Sequence, residues 1–247
     1  LPPKIERAEP LSWWTEMNCP LTLMLQGQDL CDAQVTIKPA EGLVVKSQHN
    51  AESPNYLFVD LDVQKEGTYT ITLKKGKKKT SIQYTINARR EGSRDRQSFT
   101  TADVIYLIMS DRFVDGDESN NTVKTCAEPA RKDYLHGRWG GDIAGIVSSL
   151  DHIIETGATA IWPTPLLCDD EPEWSYHHYA CSDYYHIDPR FGTNEAYREM
   201  VAQAHAKGLK FIMDMVPNHC GAAHWWMKDY PYADWVNTFP QYTTTNN

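Results

Sequence analysis

The chain has 247 residues, enough for one large domain or two of ordinary size, and its 41% hydrophobic and 11% aromatic content can fill packed cores, which excludes wholesale disorder. A net charge of -9 argues against a nucleic-acid or anionic-membrane partner, since both need clustered Lys and Arg. No apolar run is long enough to span a bilayer. The chain opens "LPPKIE" without Met, so a processed or engineered start is expected, with signal-peptide removal the favoured reading. The six Cys show no metal-type spacing and read as separate thiols.

From Pro20 to about Ala88 the runs are short and alternating: "LTLML", "AQVTI", "YLFVDLDV", "TYTITL" and "SIQYTI", separated by turn residues. That pattern predicts an antiparallel sandwich. The one dense basic run, "KKGKKK" (74–79), surrounds a Gly between two such runs and predicts a solvated hairpin tip. "REGSRDRQS" (90–98) is charged, lacks large apolar residues and reads as a linker, dividing the chain into 1–95 and 96–247.

Beyond the linker the period changes. "DVIYLIM" (103–109), "ATAIWPTP" (158–165) and "LKFIMDMV" (209–216) are buried-type strands. Between them, "DIAGIVSSLDHIIETG" (142–157) and "TNEAYREMVAQAHAKG" (193–208) carry helical periodicity, the second with Thr193 as N-cap and Gly208 as stop. Alternating strand and helix predicts parallel βαβ units with right-handed crossovers. Doubly wound sheet and (β/α) barrel both fit the pattern.

Polar residues gather just after these strands, at the edge where α/β folds build sites. "VDGDESNN" (114–121) packs Asp115, Asp117, Asn120 and Asn121 around Gly116, an oxygen-rich loop suited to a hard cation such as Ca²⁺ or to a solvated turn. "WGGDIAGI" (139–146) presents Asp142 after paired glycines, as a further oxygen donor or as a helix cap. "SYHHYACSDYYHIDPRFG" (175–192) offers flat aromatic faces and imidazoles of the kind that stack on sugars and bond hydroxyls, or an ordinary aromatic loop. The spacing of His177 and His178 does not suit zinc. "HWWMKDYPYADW" (224–235) reads as packing surface, and "DMVPNH" (214–219) ends a buried strand in Asp214, Asn218 and His219.

With these motifs the chain resembles the α-amylase superfamily of glycoside hydrolases, in its neopullulanase and cyclomaltodextrinase branch, and in particular the neopullulanase-type enzymes of Bacteroides starch-utilisation systems. "DVIYLIMSDRFVDGD", "RWGGDIAGIVSSLDHIIETGATAIWPTPLL", "YHHYACSDYYHIDPRFGT" and "DMVPNH" follow the family's order and spacing from about residue 100 onward. The resemblance implies an N-terminal all-β immunoglobulin-like sandwich followed by the first part, about three β/α units, of a (β/α)8 TIM barrel. It implies an α-glucan substrate bound by His177, Tyr179, Asp214 and His219, with Asp214 supporting the floor beneath the sugar. It also implies a Ca²⁺ site from Asp115, Asp117, Asn120, Asn121, the Gly140 carbonyl and Asp142. Periplasmic residence, with the cytoplasm as alternative, and a homodimer are further implications.

The family cleaves α-1,4 links in starch-derived oligosaccharides, pullulan or cyclodextrins by a retaining mechanism whose carboxylate pair stands about 5 Å apart. Those residues follow later barrel strands, so the nucleophile and acid/base are expected beyond the C-terminal end and this chain is expected to be inactive alone. The alternative is a non-catalytic α-glucan-binding module, with Trp13 and Trp14 as candidate platforms. A membrane-anchored transporter sharing the barrel is set aside for want of an apolar span.

Overall fold

A computed structural model describes residues 2–241. They form two compact units: one runs from the start of the chain to Arg96 and also holds the segment from Asp229 onward, and the other is Gln97–Lys228.

The first unit contains β1 (Lys4–Glu9), β2 (Ser12–Trp14), β3 (Leu21–Gln28), β4 (Gln34–Lys38), β5 (Leu43–Asn50), β6 (Tyr56–Val63), β7 (Gly67–Lys75) and β8 (Lys78–Asn87). They assemble as two four-stranded sheets, β1-β3-β6-β5 and β2-β8-β7-β4. Inward positions of both sheets share one core, with Leu23, Leu25, Leu57 and Val59 from one and Ile71, Leu73, Tyr84 and Ile86 from the other. Within residues 20–88 every pairing is antiparallel, as the pattern predicts, while β2, which precedes that stretch, runs parallel to β8. The basic run does close a hairpin: Lys75 pairs with Lys78 around Gly76, whose φ of 60° an L side chain adopts at a cost. Three strands went unread in the sequence, β1, β2 and β5, and all three lie at sheet edges.

The segment from Asp229 docks on the turn before β6. Ser53 Oγ and Asn55 Nδ2 donate to Asp229 Oδ2 at 3.1 and 2.8 Å, and the Glu52 and Ser53 amides donate to Pro231 O. Tyr232 stacks on Phe58 with centroids 5.9 Å apart, so this part of the aromatic run packs as the sequence suggests.

The second unit contains β9 (Ile105–Ile108), α1 (Ile143–Ser148), α2 (Leu150–Glu155), β10 (Ala160–Pro163), β11 (Leu167–Cys168), β12 (Asp183–Ile187), α3 (Asn194–Ala206) and β13 (Lys210–Phe211). The sheet β13-β10-β9 is parallel, with Ala160 aligned on both Ile105 and Lys210. Its Ile108 and Ile161 pack with Ile143, Ile146, Leu150, Ile153, Met200 and Ala204 of the helices. Leu107 and Trp162, paired in register, are exposed.

Two expected elements differ. The single helix over 142–157 is two helices broken at Ser149, because the Ser148 and Ser149 hydroxyls both donate to Gly145 O at 2.9 and 2.8 Å and compete with the ladder. The strand over 209–216 is short: after Ile212 N donates to Ile161 O, no backbone ladder continues among the described residues. α3 matches its reading, with Thr193 Oγ1 accepting from Ala196 N at 3.0 Å and Gly208 at φ 82°. The β11–β12 pair was not read from the sequence.

Candidate sugar-binding site at the strand ends

The chain three residues past β13 delivers Asp214, and β10 delivers Trp162, to one place. Asp214 Oδ2 accepts from Trp162 Nε1 at 3.1 Å and from the Tyr179 hydroxyl at 3.0 Å. Burial, then the Asp214 carboxylate, pushes the Tyr179 phenol up to about 12, so it stays a donor at neutral pH. Tyr179 N donates to His177 Nδ1 at 3.0 Å, and the two rings lie 5.8 Å apart. Burial holds His177 below the usual imidazole range.

His219 Nε2 lies 3.0 Å from Tyr179 O and its Nδ1 lies 3.0 Å from Asn218 Nδ2. The Tyr184 hydroxyl, on β12, bonds His219 O at 2.7 Å. The four residues singled out from the sequence, His177, Tyr179, Asp214 and His219, are therefore brought together. Both His219 ring nitrogens are engaged within the protein, so bonding a ligand hydroxyl requires His219 to exchange its contact with Tyr179 O. The arrangement offers an exposed phenol ring, a carboxylate and two imidazoles, which are groups that bond hydroxyls and stack on C–H faces.

The same unit holds a buried ionic cluster. His178 is fully buried, with Nδ1 2.8 Å from Leu167 O and Nε2 2.7 Å from Arg138 Nη1. The first bond makes Nδ1 the donor and leaves Nε2 to accept, and burial pushes His178 down to about 3. Arg190 grips Asp188 through Nε and Nη2 at 2.9 and 2.8 Å, both side chains almost fully buried. Glu128 Oε2 accepts from Ser175 N at 2.7 Å. Asp169, wholly buried, accepts from the amides of Glu171 and Ala180, yet burial pushes it up to about 7. Sequence reasoning gave Arg138, Arg190, Asp188, Asp169 and Glu128 no role, and Trp162 was likewise missed. Their partners are far apart in the chain, so the only available signal was the pairing of Asp188 and Arg190 two residues apart.

The oxygen-rich loop is held by Asp142. Its Oδ1 accepts from Gly145 N at 2.7 Å, which caps α1, and from Gly116 N at 3.0 Å. Its Oδ2 accepts from Asp117 N and Asn120 Nδ2, both at 2.9 Å. Asp117 turns toward Ser119, whose amide and hydroxyl donate to its Oδ1. Asp115 Oδ2 accepts from Asn121 Nδ2 and Lys132 Nζ, both at 2.8 Å. That leaves Asp115 Oδ1, Asn120 Oδ1 and Asn121 Oδ1 buried without a protein donor. A Cβ on Gly140 would sit 2.2 Å from Asn121 Oδ1, so a side chain there would fill the cradle. Among the described residues no group of three or more His, Cys, Asp or Glu is placed to hold a metal. The orphaned oxygens here belong to one carboxylate and two side-chain amides, a set that suits a hard cation and no soft one.

One unit with a parallel sheet whose strand ends carry carboxylate, phenol and imidazole, and another of two β-sheets, define a chain of an α/β unit and a β-sandwich unit. Residues 107–244 match the α-amylase catalytic domain, and residues 7–90 match the cyclomaltodextrinase N-terminal domain. The chain belongs to the α-amylase family of glycoside hydrolases. It is 35% identical over 150 residues to the cyclomaltodextrinase of Thermoanaerobacter pseudethanolicus, covering 57% of this chain and 25% of that protein. It is 36% identical over 148 residues to neopullulanase 2 of Thermoactinomyces vulgaris, covering 56% and 24%. The chain thus spans about a quarter of the length of these relatives. Among solved structures, an Anoxybacillus α-amylase aligns with a TM-score of 0.46 at 36% identity, covering 51% of this chain and 26% of that one.

Proposed function

We propose that this chain is part of an α-glucan hydrolase of the neopullulanase and cyclomaltodextrinase type, cleaving α-1,4 links of starch-derived oligosaccharides, pullulan or cyclodextrins with retention. Its second unit is then the opening portion of a (β/α)8 barrel, with exposed Leu107 and Trp162 on the inner face. The observation that carries the reading is the convergence of Asp214, Tyr179, His177 and His219 on one surface. A glucosyl ring stacks on Tyr179, its hydroxyls bond Asp214 and His177, and His219 exchanges Tyr179 O for a sugar hydroxyl. Retaining cleavage needs a nucleophile and an acid/base about 5 Å apart, and the resemblance assigns neither role to a residue here. The 247 residues by themselves are therefore expected to bind glucan without cutting it.

Ca²⁺ fits the loop at Asp115, Asn120, Asn121 and the Gly140 carbonyl, with Asp142 and Asp117 shaping the loop around it. It would supply charge that orders the loop; no chemical step is assigned to it. The resemblance also carries two proposals, a periplasmic location and a homodimer; among the described residues no helix is long and apolar enough to cross a membrane.

The test is a calorimetric titration with maltotriose. Binding that Tyr179→Ala and His219→Ala each weaken supports the reading; no binding, or binding indifferent to both, overturns it. A second reading, glucan held by the sandwich, is favoured by a groove that Trp13, Trp14, Met17, Lys46, Asp60 and Asp62 line. Affinity that falls with Trp14→Ala and not with Tyr179→Ala would select it.

A further inference from the structure

By spacing the cysteines read as separate thiols, and the structure holds all six free, yet the fold sets two of them side by side. Cys181 follows Tyr179 on the loop into β12, and Cys220 follows His219 beyond β13. The two segments run in step: His219 Nε2 lies 3.0 Å from Tyr179 O, and Gly221 N donates to Cys181 O at 2.8 Å. A Cβ on Gly221 would strike Ala180 O, so only glycine lets the segments come this close. A bond from one residue's carbonyl to the amide that follows its neighbour is the parallel-ladder pattern, and it sets Cys181 opposite Cys220. Their Cα atoms are then about 5–7 Å apart, a span that a disulfide bridges.

The sulfurs also sense one another. Burial pushes the Cys181 thiol up to about 12, and Asp183, Asp169 and Cys220 push it the same way. Burial pushes the Tyr184 phenol up to about 12 as well, with Cys181 and Cys220 adding to it. The phenol that ties the second segment down, through Val216 O and His219 O, is therefore within electrostatic reach of both sulfurs. That segment has little else to hold it. Among the described residues no backbone amide from 213 to 220 donates to a backbone carbonyl, and Gly221 N is the first to do so after Ile212.

We propose that Cys181 and Cys220 are a disulfide site, and that the bond staples the stretch carrying Asp214 and His219 to the loop carrying Tyr179. The oxidant is a small-molecule disulfide. Cys220, the more exposed of the two, attacks it as thiolate and expels one thiolate, leaving a mixed disulfide. Cys181 then gives its proton to water, attacks Cys220 Sγ and expels the second thiolate. Two protein thiols lose two electrons and two protons, and the oxidant gains them as two thiols. Cys168 is the rival partner, since Ser182 N donates to Cys168 O at 2.7 Å. That bond belongs to the antiparallel β11–β12 pair, where Cys168 aligns with Asp183 and not with Cys181. The staple does not depend on what the Tyr179 surface binds.

The test incubates the reduced full chain with excess oxidised glutathione, maps unreduced peptides by mass spectrometry and measures the melting temperature. The expected result is a peptide linked through Cys181 and Cys220, with a rise of roughly 5–10 °C that dithiothreitol reverses, since the bond closes a loop of about 40 residues. Cys220→Ala is expected to abolish the rise and Cys168→Ala to keep it. Because burial raises both thiols, formation is expected to quicken about tenfold per pH unit from about 7 to 8. Both thiols still free, glutathione left on Cys220 alone, or Cys181 linked to Cys168 would each overturn the pairing. A linked peptide without a rise in melting temperature would overturn the staple. Should Cys220→Ala fold poorly, the wild type before and after dithiothreitol carries the comparison alone.

Discussion

Removing the Asp142 carboxylate should be among the most damaging single changes to the second unit. The side chain is fully buried and takes four donors: the Gly145, Gly116 and Asp117 amides and the Asn120 side-chain amide. Asp142→Ala loses the cap of α1, which costs about 1 kcal/mol. It also strands three more donors, each costing about 1 kcal/mol or more where water does not reach. Because the loop relaxes and the terms are not additive, we expect a loss of about 3–5 kcal/mol, a large share of a domain's stability. Asp142→Asn keeps an oxygen for Gly145 and Gly116 but turns an NH2 toward two donors, so about half that loss is expected. Asp117→Ala, whose exposed carboxylate serves only Ser119, should cost under about 1 kcal/mol. Urea denaturation at a constant m-value measures all three. If Asp142→Ala costs no more than Asp117→Ala, the carboxylate does not organise this loop and the reasoning fails.

Ca²⁺ should raise the melting temperature, and saturation at about a hundred times Kd corresponds to roughly 2.7 kcal/mol. Asp115→Ala should abolish the response while Asp117→Ala retains it, and an unchanged melting temperature with added Ca²⁺ would refute the cation reading. Acid should weaken the buried cluster through His178, whose pKa is pushed from 6.5 to about 3. Between those values the unfolded chain binds a proton that the folded one refuses, so stability falls as pH drops through that window. From pH 7 to 4.5 the loss is about 2–3 kcal/mol. Asp169, raised to about 7, acts in the opposite sense: its contribution is present at low pH and lost as pH rises through about 7. The measurement is therefore a difference, wild type minus His178→Gln at each pH, and a difference that does not change with pH would contradict the neutral, buried imidazole.

What the sequence revealed follows where apolar pattern is strong. α3 was legible because a helical face, an N-cap and a stopping Gly all agree at Thr193 and Gly208. The central strands β3, β6, β7 and β8 were legible because each alternates against the core. Of the four edge strands only β4 was: β5 reads "LVVKSQHN" and buries only its first residue, so its composition is that of a loop. The break at Ser149 was invisible because two hydroxyls competing for one carbonyl leave the apolar period intact. At the loop around Asp142 the sequence left cap and ligand open, and the structure gives the carboxylate a full set of protein donors. The ionic cluster was the least legible part, since Arg190 reaches Glu128 O across 62 residues and no local spacing marks that contact.

The central claim is that the Tyr179 surface holds a glucosyl ring, and a crystal structure of the chain grown with maltotriose tests it most directly. The account expects a ring stacked on Tyr179, hydroxyls within bonding distance of Asp214 and His177, and His219 released from Tyr179 O toward the sugar. A sugar seated elsewhere, with His219 still bound to Tyr179 O and the phenol face bare, would contradict it.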